Sequence, residues 1–291
     1  MSILLFGAST HLSQTKLIPR ILRSGFRKTF YVTTIPKPNS NWFTPNDLLP
    51  LTDVTYFSFN NNTLSDMLPK INPSTSLFID THIDPSSDFE SFFQTIEYYC
   101  PVNTHFVNNL LFDYIPNLPL FFIDPINITE ISLSISNPSL DKHLIPNLIM
   151  VISQMFSISC NIPRKSLLNS IYPFSSDNFY TNSTYTYCHT DIQLSESSHP
   201  LQLKFLINHI SSNIYTINIL TSDNYTHQFQ IHPHSLYQLY YNDILINNQS
   251  LPSFDSYLNI LESALNNNLS NFLSKSEILQ SWNITKNLFD S

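Results

Sequence analysis

The sequence predicts a small α/β, Rossmann-like domain with a parallel sheet, followed by a larger α+β domain, and three observations predict it. The first is Ile3-Leu4-Leu5-Phe6, a short apolar run that stops at Gly7 and passes into Leu12, Leu17, Ile18, Ile21 and Leu22 at helical spacing. That is the pattern of a strand, a tight turn and a helix, and the helix N-terminus of such a unit is the usual seat of a dinucleotide pyrophosphate. The second is the recurrence of short apolar runs at 29–34, 56–59 and 76–79 with helical turns between them, an order that implies parallel pairing. The third is a β-rich stretch from Tyr180 to about Tyr241, in meander order, before the chain returns to helix.

Taken in order, residues 29–34 alternate as a strand, and Ile35-Pro36-Lys37-Pro38 breaks it. That loop is where a Rossmann unit keeps the residue that reads the cofactor ribose, and Lys37 is the only charge nearby. Tyr56-Phe57-Ser58-Phe59 and Ser76-Leu77-Phe78-Ile79 read as buried strands, with a helical turn over 63–71 between them. Asp88 caps a helix ahead of Phe89, Phe92, Phe93 and Ile96, and 107–114 is helical until Pro116 and Pro119. Residues 128–136 alternate as a strand, 144–158 form an apolar helix buried all round, and 165–171 begin a shorter one. Strands follow at 185–187, 201–207, 214–220 and 228–231, then helices at 256–272 and 276–282. The expected division is a first domain over 1–94 and a second over 95–291.

With 42% apolar and 13% aromatic residues the 291-residue chain can bury a large core. Charged residues are only 12%, the formal net charge is −8 and no run of Lys or Arg exists, which argues against nucleic acid or an anionic membrane as partner. Lys16, Arg20, Arg23 and Arg27 fall near one face of the first helix, either against cofactor phosphates or as a solvated face. Cys100, Cys160 and Cys188 are odd in number and lack metal-ligand spacing, so no metal is expected and a reducing compartment is. The absence of both an apolar stretch of about 18 residues and a signal-peptide pattern makes the cytoplasm the expected location. Two glycines against 19 prolines leave asparagine to supply left-handed turn positions.

Phe6-Gly7-Ala8-Ser9 with Leu12, Lys16, Leu17 and Pro19 resembles the opening of glucose-6-phosphate dehydrogenases, FGASGDLxxxKLxP. Leu77-Phe78-Ile79 is similar to that family's LFYLALPP strand. Ile96-Glu97-Tyr98-Tyr99 with Val107-Asn108-Asn109-Leu110-Leu111 is similar to its IDHYLGKExVQNLL segment. Asn147-Leu148-Ile149, Ser166 to Pro173, Ser183-Thr184-Tyr185-Thr186, Pro200 to Lys204, Tyr257 to Leu261 and Glu277 to Trp282 follow further family segments in the same order. The family's EKPFG segment is missing between Pro85 and Ile96.

The resemblance implies a Rossmann-like N-terminal domain and an α+β C-terminal domain with a large, mainly antiparallel sheet that often makes the dimer contact. It implies NADP as cofactor and oxidation of glucose 6-phosphate at C1, with Gly7, Ala8, Ser9, Thr10 and Lys16 as cofactor-binding residues and Glu97, Tyr99 and Lys204 as substrate-binding residues. It also implies that the chemistry has eroded. Leu148 stands where the family has its histidine base, and leucine accepts no proton. Thr10 puts a Cβ where the second glycine lets the backbone approach phosphate. His143 lies one helical turn from the base position, about 5.4 Å away, and His189, His209, His227, His232 and His234 read as surface residues. No catalytic residue is therefore expected, and three readings stand. One is a weak or inactive dehydrogenase serving as a scaffold or as partner of a second copy or paralogue, another a divergent active glucose-6-phosphate dehydrogenase, and the third a different dehydrogenase or nucleotide-binding protein on the same fold.

Overall fold

The computed structural model describes residues 2–6, 18–23, 28–33, 53–58, 76–80, 127–136, 145–160, 162–194, 199–209, 215–232, 236–250, 262–263, 266 and 272–288. The chain forms two compact units, Met1–Phe112 with Asp255–Lys275, and Asp113–Phe254 with Ser276–Ser291. The boundary expected after residue 94 lies outside the described residues.

In the first unit, β1 (Ser2–Phe6), β2 (Lys28–Thr33), β3 (Asp53–Ser58) and β4 (Ser76–Asp80) make a four-stranded sheet in the order β3-β2-β1-β4. Every pair is parallel. α1 (Ile18–Arg23) follows β1, with Ile21 fully buried. Parallel neighbours need crossovers, and short apolar runs without strict alternation are what a strand covered on both faces requires.

The second unit is built on an eight-stranded sheet in the order β12-β11-β10-β9-β5-β8-β7-β6. Its strands are β5 (Ile128–Ser136), β6 (Phe179–Thr181), β7 (Tyr185–Ile192), β8 (Leu201–Asn208), β9 (Tyr215–Thr221), β10 (Thr226–His232), β11 (Leu236–Tyr241) and β12 (Ile244–Ser250). The sheet is mainly antiparallel, as expected. It is not a simple meander, because β5 inserts between β8 and β9 and pairs parallel with β8.

Alternation along the strands separates two faces. Ile131, Leu133, Ile135, Cys188, Leu203, Phe205, Ile207, Ile217, Ile219 and Phe229 are buried, while the residues between them on β5, β7, β8 and β9 are half-buried and mostly polar. Among the described residues three α-helices belong to this unit or its boundary: α2 (Ile145–Cys160), α3 (Arg164–Ser170) and α4 (Lys275–Thr285). Helix α2 is buried continuously from Leu148 to Phe156, the all-round burial its apolar sequence predicts. On α4 the buried set is Glu277, Ile278, Ser281, Ile284 and Thr285, one face at helical spacing.

Strands β6, β11 and β12 escape the sequence reading. Asn247-Asn248-Gln249-Ser250 has low strand propensity, and β12 exists because its backbone completes the ladder with β11. The two-residue turn Asn242-Asp243 that joins them has both residues at positive φ, 47° and 62°, the geometry whose twist suits a hairpin and which asparagine and aspartate adopt most readily after glycine.

Candidate functional site

The strand order of the first unit contains a reversal. The chain steps from β1 to β2 on one side, and β4 lies against β1 on the other, so the direction of winding reverses between β1 and β4. In open parallel sheets ligands bind outside the carboxyl ends of the strands at such a reversal. Phe6, the last residue of β1, is in register with Asp80, the last of β4, and with Val32 on β2. Gly7, Ala8, Ser9 and Thr10 follow directly in sequence. These four and Lys16, the expected cofactor-binding residues, lie outside the described residues, as do Glu97, Tyr99 and His143.

Lys204 is described. It sits on the polar face of β8, and its Nζ donates to Glu130 Oε2 on β5 at 2.6 Å, both side chains being about three-quarters buried. The parallel β5–β8 register that brings them together places Glu130 opposite Gln202, two residues from Lys204, on the same face. A phosphate approaching this ammonium would have to compete with a carboxylate already in contact, so the pair is close to neutral as seen by an anion. Glu130 is 74 residues away in sequence and no local pattern announces it.

A row of half-buried side chains crosses the polar face through His189, Lys204, Ser132, Asn218, Gln228 and Tyr240, each opposite the next on the adjacent strand. Several are hydrogen-bonded along or across it: Asn218 Nδ2 donates to Ser132 Oγ at 3.4 Å, Gln228 Nε2 to Asn218 Oδ1 at 2.8 Å, and Gln230 Nε2 to Gln228 Oε1 at 3.0 Å. Amides that donate and accept hold this face in one arrangement. The histidines are not simply surface residues. His189 Nδ1 is buried without a hydrogen-bond partner while its ring packs 5.7 Å from that of Tyr187, and His209 Nε2 is 3.2 Å from Thr186 Oγ1.

Leu148 is 2% exposed and lies among buried Ile145, Ile149 and Ile152, so α2 presents packing at that position. Among the described residues no three His, Cys, Asp or Glu side chains gather to hold a metal, and no helix is long and apolar enough to cross a membrane, which says nothing of strands. Cys188 is fully buried on β7, and burial pushes its thiol far above the ordinary cysteine range. Peptide mapping after maleimide labelling should find Cys188 unmodified in the native protein and fully modified in denaturant. Native labelling would show that this strand opens readily.

No protein-family model matches the sequence, and no curated protein sequence does. The fold does match solved structures. KijD10, a 3-ketoreductase from Actinomadura kijaniata in complex with NADP and TDP-benzene, aligns over 97% of this chain and 94% of its own with 8% identity and a TM-score of 0.52. The UDP-N-acetylglucosamine 3-dehydrogenase GnnA from Acidithiobacillus ferrooxidans aligns over 98% and 94% with 8% identity and a TM-score of 0.51. Biliverdin reductase from Synechocystis, in complex with biliverdin and NADP+, aligns over 99% and 97% with 10% identity and a TM-score of 0.53.

The chain shares the Rossmann-like fold of these solved structures.

None of these three is a glucose-6-phosphate dehydrogenase, and the resemblance to that family, with the activity it implied, is corrected accordingly. The reason lies in which residues matched. Phe6-Gly7-Ala8, Leu77-Phe78-Ile79 and Leu148-Ile149 are what a parallel strand, its turn and a buried helix need in any such fold. The family's histidine base and its EKPFG segment were what did not match.

Proposed function

We propose that this chain is an NADP-dependent oxidoreductase of the Gfo/Idh/MocA type that exchanges hydride with a carbonyl or carbinol carbon of a sugar-class substrate. The observation that carries the reading is the parallel order β3-β2-β1-β4, with its reversal beside the strand that runs into Gly7. The solved neighbours bound to NADP, and the ketoreductase and dehydrogenase activities in their names, support it. That topology suits a dinucleotide. Gly7, Ala8, Ser9, Thr10 and Lys16 are assigned to the pyrophosphate, and Lys37, four residues beyond the end of β2, to the 2′-phosphate. No Asp or Glu occurs between Thr33 and Asp47, so the loop after β2 has no carboxylate to accept the free ribose 2′-hydroxyl of NAD. Bound NADP supplies or accepts the hydride, and the chain's own residues hold and orient it. The amide-rich face of the eight-stranded sheet is assigned to a second copy, since its side chains both donate and accept. The buried reduced thiol of Cys188 fits the cytoplasm.

Thermal unfolding with each dinucleotide tests the reading, because a ligand at about 100 times its Kd stabilises the state it binds by about 2.7 kcal/mol. NADP should raise the melting temperature and NAD should do so less, with Lys37→Glu weakening NADP about tenfold, as losing one charge-assisted phosphate contact does. A melting temperature unmoved by either dinucleotide would sink the proposal.

A further inference from the structure

One end of the eight-stranded sheet carries a surface that the oxidoreductase reading does not use. Four of the six large apolar or tyrosine side chains most exposed among the described residues lie there: Tyr225 at 41%, Ile244 at 67%, Leu245 at 45% and Ile246 at 57%. They gather at one end of the sheet, Ile244 beside Tyr241 on one face and Leu245 beside Tyr240 on the other. The Tyr225 ring stacks on that of Tyr241 at 5.3 Å and 20°, His227 meets Tyr241 edge-on at 5.0 Å, and Tyr241 is the cross-strand partner of Ile244. The register shift between Leu239 and Tyr240 leaves Ile246 unpaired, as the extra residue of a bulge, a device that redirects a side chain and spoils an edge for continuous strand pairing.

This end is also held rigid. Asn224, Asn242 and Asp243 occupy left-handed conformations at φ 63°, 47° and 62°. The two turns are tied together by Asn242 N–H donating to Thr226 O at 3.0 Å and Thr226 N–H donating to Asn242 Oδ1 at 2.9 Å. Thr221 Oγ1 donates to Asp223 Oδ1 at 2.5 Å. Aromatic and aliphatic anchors that are already ordered lose little entropy on binding.

Charge says what fits. Between Lys204 and Lys275 the sequence contains no Lys or Arg, and the two turns present the exposed carboxylates Asp223 and Asp243. Burial pushes the His227 imidazole below its ordinary range, with Asp223 opposing the shift, so it does not cancel them at neutral pH. A second copy of this chain would set these aspartates against themselves in a molecule of net charge −8, and a nucleic acid would be repelled. We propose that the end of the sheet formed by the β9–β10 and β11–β12 turns is a docking surface for an apolar polypeptide segment of another protein that carries Lys or Arg.

Fluorescence anisotropy on the full chain tests it with two labelled peptides of about ten residues, one of leucine, serine and lysine and one with glutamate for lysine. The lysine peptide should bind with a Kd in the range of about 10 to 100 μM, and the glutamate peptide should not bind. The triple change Ile244→Ser, Leu245→Ser, Ile246→Ser should weaken binding at least about tenfold. The pair Asp223→Asn, Asp243→Asn should weaken it at low salt and remove its salt dependence. Should the triple variant fold poorly, Tyr225→Ser serves in its place. Equal binding of the two peptides, no binding of either, binding that survives the substitutions, or self-association abolished by the triple change would each overturn the proposal.

Discussion

Replacing Arg164 by methionine should destabilise the second unit by about 3 to 5 kcal/mol, the range expected when one partner of a buried ion pair is removed. Arg164 opens α3 and reaches Glu277 on α4 with two bonds, Nε to Oε1 at 2.8 Å and Nη2 to Oε2 at 3.3 Å, while Nη1 donates to Gln154 Oε1 on α2. The Arg164 and Glu277 side chains are 12% and 9% exposed, so this is not a solvent-screened surface pair. One guanidinium therefore joins three helices, the α4 contact lying 113 residues along the chain from Arg164. Methionine keeps most of the aliphatic volume and removes the charge, taking both guanidinium bonds from the buried Glu277 carboxylate. Urea unfolding followed by circular dichroism should show a lower midpoint at similar slope. The double variant Arg164→Met, Glu277→Leu should recover most of the loss, because the buried carboxylate is then removed as well. A double variant as unstable as the single one would mean that packing, not the ion pair, is what the arginine supplies.

Phe174→Ala should cost a similar amount, about 3 to 5 kcal/mol, through a different mechanism. Phe174 is completely buried, its ring 6.0 Å from that of Phe205 on the apolar face of β8. Its backbone is bonded as well: its N–H donates to Ile284 O at 2.8 Å, and its carbonyl accepts from Asn287 Nδ2 at 2.8 Å. Alanine keeps the first bond and the acceptor of the second, so the loss reports the cavity left by the ring. Asn287→Ala, which deletes a single side-chain bond, should cost only about 1 kcal/mol. A loss at Phe174 no greater than that at Asn287 would mean that α4 and the sheet close over the vacated volume.

The contrast between these two residues shows what can be read from a sequence. Phe174 is recognisable as a core candidate by its chemistry alone. Arg164 stands beside Lys165 in the sequence, and nothing near it in the chain points to Glu277. The same holds at the candidate site. Lys204 was legible as a charged residue on an alternating strand, yet its pairing with Glu130 depends on β5 lying parallel beside β8, a long-range crossover that local pattern does not encode. The error over family has the same origin. Short apolar segments such as Leu77-Phe78-Ile79 carry information about burial, which many dehydrogenase-like folds share, and little about the reaction.

The amino-acid order by itself determined the elements whose periodicity is set by a local rule: β1 ending at Gly7, the alternating β5, the all-apolar α2 and the amphipathic strands of the second unit. Backbone geometry repeats every two residues or every 3.6, so burial on one face is written directly into the spacing of apolar side chains. Only the tertiary structure decided that β5 separates β8 from β9, that Asn247 to Ser250 form an edge strand, that Arg164 closes on Glu277, and that Tyr225 and Ile244 to Ile246 share one exposed end. Each of these depends on residues distant in sequence meeting at fixed register, and the free energy that selects such meetings comes from packing and hydrogen bonding across the whole unit.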